Sequence, residues 1–205
     1  PNSLLMNAHD HLSQDPVMAG LIARHGELKL RRSRTEPYDA LCEAVVYQQL
    51  HAKAAATIYG RIVEQIGSGA FPRPEQLLKA TDERLRAAGL SRNKALALRD
   101  IAGHASDGRL PTRAESRRLS DAELIERLTD IRGIGRWTVE MFLMFNLGRP
   151  DVLPADDLGV RKGFMSAYRK RELPTPRALA EYGLRWAPYR TLAAFYLWRA
   201  ADTVG

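Results

Sequence analysis

Apolar side chains recur along the chain with a period near 3.6, in runs that are separated by Gly, Pro and Ser residues. This period gives a helix one apolar face, and no run convincingly shows the alternation typical of a strand. We therefore predict an all-α fold. The helices are expected at about 15–25, 37–50, 52–66, 74–80, 81–88, 91–107, 120–131, 136–147, 156–169, 175–186 and 189–202.

Local start signals support several of these boundaries. Pro37 lies at a helix opening, Ser91 comes directly before Arg-Asn-Lys, and Pro176 follows Thr175 in a first helical turn. Ser and Thr side chains cap helix N-termini, and Pro is favoured in the first turn. The stretch 107–120 is expected to be the long surface connection of the chain.

The most informative segment is the turn between the helices predicted at 120–131 and 136–147. Its glycines, Gly133 and Gly135, permit positive φ and a close approach of a partner to the backbone. The amides that open the next helix point outward beside Arg136, so the turn suits a phosphate group. For an isolated Gly-x-Gly pair, the alternative is a tight turn without a ligand.

Composition narrows the class of protein. At 205 residues with 45% hydrophobic content, the chain can bury one substantial core or two small lobes. No run approaches the roughly 18–20 apolar residues of a membrane span, and nothing indicates an export signal. The single cysteine, Cys42, fits a reducing compartment, cytoplasmic or nuclear. One cysteine also excludes a disulfide, a four-cysteine zinc site and a cysteine-ligated iron–sulfur cluster within a monomer.

The charge balance favours a polyanionic partner. Lys and Arg number 31 against 24 Asp and Glu, which gives a formal net charge of +7. Such an excess is consistent with binding to DNA phosphates. The alternative is that most of these cations lie on solvated helix faces.

Three further features change the interpretation of the Gly-x-Gly turn. Ser120-x-x-Glu123 is a capping box for the first helix, Thr138 lies in the first turn of the second, and Asp156-Asp157 follows about 20 residues after the turn. With these features the chain resembles the helix-hairpin-helix DNA glycosylases of base excision repair. Within them it is similar to DNA-3-methyladenine glycosylase II, the AlkA-like enzymes that excise alkylated bases.

The resemblance extends from about Pro16 to Trp198 and implies two helical lobes, with the helix-hairpin-helix motif at a DNA-binding cleft. Residues from about 38 to 145 would form a bundle that contains the hairpin. Residues 1–37 together with 146–205 would form the other lobe. The amino-terminal β domain of the longer bacterial relatives has no room here, so the compact form is expected.

Asp157 is the candidate catalytic residue. Pro154 stops one segment and the two acids open the next, so the structural alternative is that one acid caps the helix and the other favours its positive end. The resemblance implies that Asp157 lies beside the sugar of the extruded nucleotide. There a carboxylate stabilises oxocarbenium character at C1′ and orients water. Asp156 then has the capping or supporting role, and no metal or redox cofactor is required.

The resemblance also implies an aromatic pocket for the flipped base. Trp137 and Trp198 match aromatic positions of that pocket, and Met141 stands where a well-known relative has an aromatic residue. Tyr47 either adds another ring or is a buried structural tyrosine. An aromatic wall favours electron-poor or cationic purines such as 3-methyladenine. Trp137 also stands where strand-cleaving relatives have a nucleophilic lysine, so base removal without strand cleavage is expected.

Two groups of residues are expected to contact DNA. Gln49 matches the wedge that enters the minor groove and fills the gap left by the extruded base, while Gln48 either contacts DNA or holds that turn together. His51 would contact the minor groove or the opposite base, or simply start a helix. The hairpin and the start of the catalytic helix are expected to contact phosphates through Gly133, Gly135, Arg136, Thr138, Arg161 and Lys162.

The family's hairpin commonly binds a monovalent cation, and the resemblance implies Na⁺ or K⁺ at the backbone carbonyls of Thr129, Ile131 and Ile134. The expected partner is double-stranded DNA that contains damaged bases, bound by a monomer. Two other functions stay open. A non-catalytic DNA-binding module is disfavoured by Asp157 and the Gln48-Gln49 turn, and a glycosylase for mismatched or oxidised bases by Trp137 and the missing cluster cysteines.

Overall fold

A computed structural model describes residues 3–30 and 32–202, with side chains from residue 8 onward in those ranges. All regular elements in these ranges are helical, which confirms the predicted all-α class. The chain divides into two compact units. The central unit is Arg34–Phe142, and the terminal unit is Pro1–Ser33 together with Leu143–Gly205.

Thirteen α-helices follow one another along the described part of the chain. They are α1 (Ser3–Leu12), α2 (Pro16–His25), α3 (Pro37–Tyr47), α4 (Ala52–Gln65), α5 (Pro74–Lys79), α6 (Asp82–Ala87), α7 (Arg92–Ser106), α8 (Arg113–Ser116), α9 (Asp121–Thr129), α10 (Arg136–Met141), α11 (Leu158–Ala167), α12 (Pro176–Gly183) and α13 (Arg190–Asp202). A π-helical segment, Phe142–Leu147, follows α10, and a 3₁₀ turn, Leu184–Trp186, follows α12. Within the described ranges, no helix is long and apolar enough to cross a membrane.

The central unit is built around α7. This helix packs against α3, α5 and α6 and buries Leu98 and Ile101 completely. Leu41 of α3 and Leu77 of α5 are also fully buried in this unit. Each such side chain contributes about 1.5–3 kcal/mol through removal of apolar surface from water, so α7 is the main support of the unit.

The terminal unit depends on a close contact between α11 and α13. A Cβ atom at Gly163 would lie 1.8 Å from the carbonyl oxygen of Leu197, so only glycine permits this approach. At the start of α13, Arg190 donates from Nε and Nη2 to the two carboxylate oxygens of Asp151, at 2.7 and 2.9 Å. Burial alone would raise the pKa of Asp151, but the bonds from Arg190 outweigh it and hold this pKa below its usual value.

The start signals read from the sequence are confirmed. Ser91 Oγ accepts the backbone N–H of Lys94, and Thr175 Oγ1 accepts that of Ala178. The predicted capping box is also present, because the N–H of Ser120 donates to Glu123 while the N–H of Glu123 donates back to the Ser120 hydroxyl. These caps satisfy backbone donors that have no partner inside the helix.

Two helices were not predicted from the sequence. The expected surface connection 107–120 contains α8, whose start is a second capping box formed by Thr112 and Glu115. The other, α1, packs on α2, with Ala8 and Leu12 buried. Packing rather than local preference stabilises most short helices, which is why the sequence pattern missed it.

Candidate active site and DNA-binding turns

Asp157 is the N-cap residue of α11 in the terminal unit. Its Oδ1 accepts the backbone N–H of Val160 at 2.7 Å and the indole Nε1–H of Trp198 at 2.8 Å. Of the two roles expected of Asp156, the cap is wrong, because Asp156 is exposed and precedes the N-cap residue, and the supporting role stays a prediction. An N-cap side chain accepts the N–H two or three residues later, and Asp157 accepts that of Val160 and has the extended backbone that a cap requires.

Gly159 permits the contact between Asp157 and Trp198. A Cβ atom at this position would lie 2.9 Å from Cδ1 of Trp198 and 3.1 Å from Oδ1 of Asp157. A larger residue would therefore displace the indole or the carboxylate. In the first turn of α11, the N–H of Val160 therefore holds the Asp157 carboxylate, and Gly159 leaves room for the Trp198 ring.

Trp198 belongs to an aromatic cluster of Phe145, Phe195 and Trp198. Its ring stacks on Phe195 and Phe145, with centroids 5.8 and 6.0 Å away. Phe145 is 46% exposed, and the cluster lines a cavity of about 710 Å³ together with Leu28 and Lys29. Neither phenylalanine was among the pocket residues expected from the sequence. Phe195 could have been predicted, because it lies three residues before Trp198 and therefore on the same helix face.

The Gly-x-Gly turn of the central unit has one positive φ. Gly133 has φ +79°, whereas Gly135 has φ −90°, so the expectation of positive φ is wrong for Gly135. A Cβ at Gly133 would lie 2.8 Å from that of Ala97, and the neighbouring N–H of Arg132 donates to Asp100 Oδ2 at 2.7 Å. Gly135 is the N-cap of α10 and has no side chain that could cap the first amides of this helix.

The Gln48-Gln49 turn follows α3 and lies against the hairpin. Gln48 donates from Nε2 to the carbonyl of Gly133 at 3.1 Å and to Thr138 Oγ1 at 3.5 Å. Gln49 is exposed with φ +56°, which is uncommon for a residue with a side chain. Exposed His51 is the N-cap of α4 without a side-chain cap bond. Gln48 therefore holds the turn to the hairpin, one of the two roles expected of it.

The chain matches the sequence profile of a known protein superfamily. A profile described as "HhH-GPD superfamily base excision DNA repair protein" matches residues 42–188, well over half of the chain. The chain belongs to this superfamily. This confirms the resemblance read from the hairpin and the two aspartates.

Individual relatives of this HhH-GPD protein are consistent with that superfamily. The chain is 44% identical over 200 residues to DNA-3-methyladenine glycosylase 1 of Schizosaccharomyces pombe, covering 96% of this chain and 88% of that protein. It is 28% identical over 164 residues to DNA-3-methyladenine glycosylase 2 of Escherichia coli, covering 76% and 54%.

Two solved structures are similar to this HhH-GPD protein. The S. pombe 3-methyladenine DNA glycosylase Mag1 in complex with abasic DNA has a TM-score of 0.83 and 43% identity, covering 96% of this chain and 97% of that chain. The DNA-3-methyladenine glycosidase of Bacillus halodurans has a TM-score of 0.85 and 41% identity, covering 95% and 88%.

The remaining expected pocket residues of this HhH-GPD protein lie in the central unit. Trp137, in the first turn of α10, is 46% exposed. Met141 and Tyr47 are half-buried, at the last positions of α10 and α3. Their role in binding a base stays a prediction.

The expected phosphate ligands differ in how far their side chains are already engaged. Arg136 donates from Nε to Glu140 Oε1 at 2.9 Å, and Arg161 donates from Nε to the carbonyl of Pro174 at 2.8 Å. Thr138 is buried and accepts from Gln48. Lys162 is exposed on α11. Of these cations, Lys162 is the best placed to meet a phosphate without giving up another contact.

The expected cation site consists of three backbone carbonyls of the hairpin. Thr129 is the last residue of α9, where carbonyls lack partners inside the helix. The carbonyl of Ile131 accepts the N–H of Ile134 at 3.1 Å, but a carbonyl oxygen has a second lone pair. Na⁺ or K⁺ at Thr129, Ile131 and Ile134 stays a prediction.

Proposed function

We propose that this chain is a monofunctional DNA glycosylase of the DNA-3-methyladenine glycosylase II type. It would extrude alkylated bases from duplex DNA and hydrolyse their N-glycosidic bond, acting as a monomer in the cytoplasm or nucleus. The observation that carries the proposal is the Asp157 carboxylate, oriented by two N–H donors at the start of α11. Membership of a base excision repair superfamily and the names of its relatives support the same activity.

The chemistry follows from a fixed carboxylate. In an alkylated purine nucleotide the C1′–N bond is already weak, and the base leaves with the bonding electrons as C1′ acquires positive charge. The Asp157 carboxylate stabilises that charge, and a water molecule adds to C1′. The carboxylate accepts the proton that the water loses. The products are a free base and an abasic site, and none of these steps needs a cofactor.

Trp137 supports hydrolysis without strand cleavage. A glycosylase that also cleaves the strand attacks C1′ with an amine and forms a Schiff base with the sugar. The resemblance places Trp137 where such relatives have that lysine, and an indole cannot form a Schiff base. We therefore assign the reaction to water and Trp137 to the base pocket, together with Trp198, Met141 and Tyr47.

DNA binding is assigned to the two turns of the central unit and the start of α11. The N-terminal amides of α10 would bind a phosphate, Gln49 would fill the gap left by the extruded base, and His51 would contact the minor groove. On the terminal unit, Lys162 and Arg161 would contact the backbone near the catalytic residue. The hairpin cation would help to bind a phosphate by adding positive charge.

The decisive experiment measures base release from methylated duplex DNA by wild type, Asp157→Asn and Asp156→Asn. Asparagine is also a good N-cap, and its Oδ1 can accept from Val160 and Trp198, so the change removes charge but keeps the structure. We expect Asp157→Asn to lower the rate by a factor on the order of 10² or more with duplex affinity retained. Asp156→Asn should act like wild type.

Two outcomes would contradict the proposal. An active Asp157→Asn beside an inactive Asp156→Asn would mean that the other carboxylate is catalytic. Product strands should break only after alkali treatment, so breaks without alkali, or a protein–DNA adduct trapped by borohydride, would disprove hydrolysis by water.

A further inference from the structure

One face of α7 contacts both DNA-binding turns of the central unit. Lys94, Ala97 and Asp100 follow one another at intervals of three and therefore share this face. Lys94 Nζ donates to the carbonyls of Val46 and Gln48, each at 2.7 Å. Ala97 and Asp100 lie against the hairpin through the contacts described above.

The two carbonyls that Lys94 binds lie at the end of α3. The last carbonyls of a helix have no donor inside it and carry the negative end of its dipole. An ammonium group supplies both a donor and a positive charge there. Partial burial lowers the pKa of Lys94, as expected for a cation drawn away from water. Among the described residues its partners are carbonyls and not carboxylates, so Lys94 serves α3 as a cap from another helix.

The adjacent turn needs such support. Gln49 has φ +56°, and a side chain in this left-handed region persists only where surrounding contacts hold it. Gln48 supplies one contact, by donating to the carbonyl of Gly133, and Lys94 supplies the other by binding the carbonyl of Gln48. The residue before the strained position is therefore held at both its side chain and its main chain.

We propose that Lys94 is a positioning residue for base extrusion, which fixes the Gln48-Gln49 turn against the hairpin without itself contacting DNA. The proposal rests on the proposed function, because it assumes that Gln49 enters the duplex. It identifies α7 as the element that sets the spacing between the wedge and the phosphate-binding turn. Nothing in the local sequence indicates this role, since Lys94 and Gln48 are 46 residues apart.

The test compares Lys94→Gln with Lys79→Gln, a matched change of an exposed lysine on α5. Base release is measured in single turnover with enzyme in excess, and the affinity for undamaged duplex is measured over a range of salt concentrations. We expect Lys94→Gln to slow base release roughly 10- to 100-fold, because a misplaced turn no longer holds the base in its extruded position. Its affinity for undamaged duplex and the salt dependence should match wild type, and Lys79→Gln should change neither.

Three results would distinguish a positioning role of Lys94 from a phosphate contact, from no role and from a failure of the proposed function. If Lys94→Gln releases base at the wild-type rate but its salt dependence falls by about one counterion, Lys94 contacts a phosphate and the proposal is overturned. If Lys94→Gln matches wild type in both readouts, the turn does not need Lys94, which also overturns it. A wild type that releases no base would instead disprove the proposed function.

A second variant is needed in case Lys94→Gln does not fold. Lys94→Met keeps the apolar stem of the side chain and removes the ammonium group, with its donors and its charge, so it carries the same test if Lys94→Gln loses its cooperative thermal transition. Slow release by a folded Lys94→Met supports the proposal. Unfolding of both variants at the assay temperature would show that Lys94 is needed for the fold as a whole, which overturns a role confined to the turn.

Discussion

Two aspartates of the terminal unit share the same local chemistry but differ in their surroundings. Asp15 caps α2 and accepts an indole N–H from Trp186, as Asp157 caps α11 and accepts one from Trp198. Asp15 also accepts the hydroxyl of Tyr168 at 2.5 Å, among rings that are packed together. Trp186 is fully buried there, whereas Trp198 lines a cavity beside an exposed ring. The motif alone therefore does not identify a catalytic carboxylate.

This pairing provides a test of what the Trp198 indole does. Trp198→Phe keeps an aromatic ring but removes the N–H that donates to Asp157, so we expect base release to slow about tenfold while the thermal midpoint falls little. Trp186→Phe is the matched control. It should lower the free energy of unfolding by about 1–3 kcal/mol, because Asp15 loses a buried donor, but leave base release by the folded protein unchanged. Equal effects of the two changes on base release would mean that the Trp198 N–H has no special role.

At the scale of elements, local sequence signals predicted where most helices begin and end. Contacts between residues far apart in the chain could not be predicted in this way. The capping box at Ser120 marked the start of α9, and Thr112-x-x-Glu115 would have marked α8 by the same logic. The end of α3 was placed three residues late because the strained Gln49 that follows it is held by contacts from α7 and the hairpin. The bond between Asp157 and Trp198 joins residues 41 apart and depends on how α11 packs on α13. Such contacts are set by packing, and the spacing of residue types does not encode them locally.

The hairpin gives a second prediction, with two glycines as a matched pair. Gly133→Ala forces a Cβ into a positive-φ position and against Ala97, so it should lower the free energy of unfolding by about 2 kcal/mol or more. Gly135→Ala places a Cβ in open space at φ −90°, so it should cost under about 1 kcal/mol. Urea denaturation followed by circular dichroism measures both. Similar losses would show that the positive φ of Gly133 is not required.

At the scale of the whole molecule, the net charge of +7 does not say which cations bind DNA. Several basic side chains are already paired, as Arg190 is with Asp151 and Arg177 with Glu181. A cation already paired with a carboxylate contributes little to the binding of a phosphate, because the carboxylate repels the phosphate that would replace it. The excess charge attracts duplex DNA over long range, but a few unpaired side chains near the turns and α11 should determine the affinity.

The salt dependence of binding distinguishes the two kinds of cation. Each phosphate that a lysine neutralises releases counterions, so the slope of log K against log salt changes by about 0.9 when that contact is lost. We expect Lys162→Gln to reduce the slope for undamaged duplex by about this amount, since Lys162 is exposed beside the start of α11. Arg177→Gln removes an exposed cation that is paired with Glu181 and should leave the slope unchanged. Fluorescence anisotropy between roughly 50 and 200 mM salt measures both. An equal change of slope for the two variants would mean that the DNA responds to the net charge of the molecule and not to a local contact at α11.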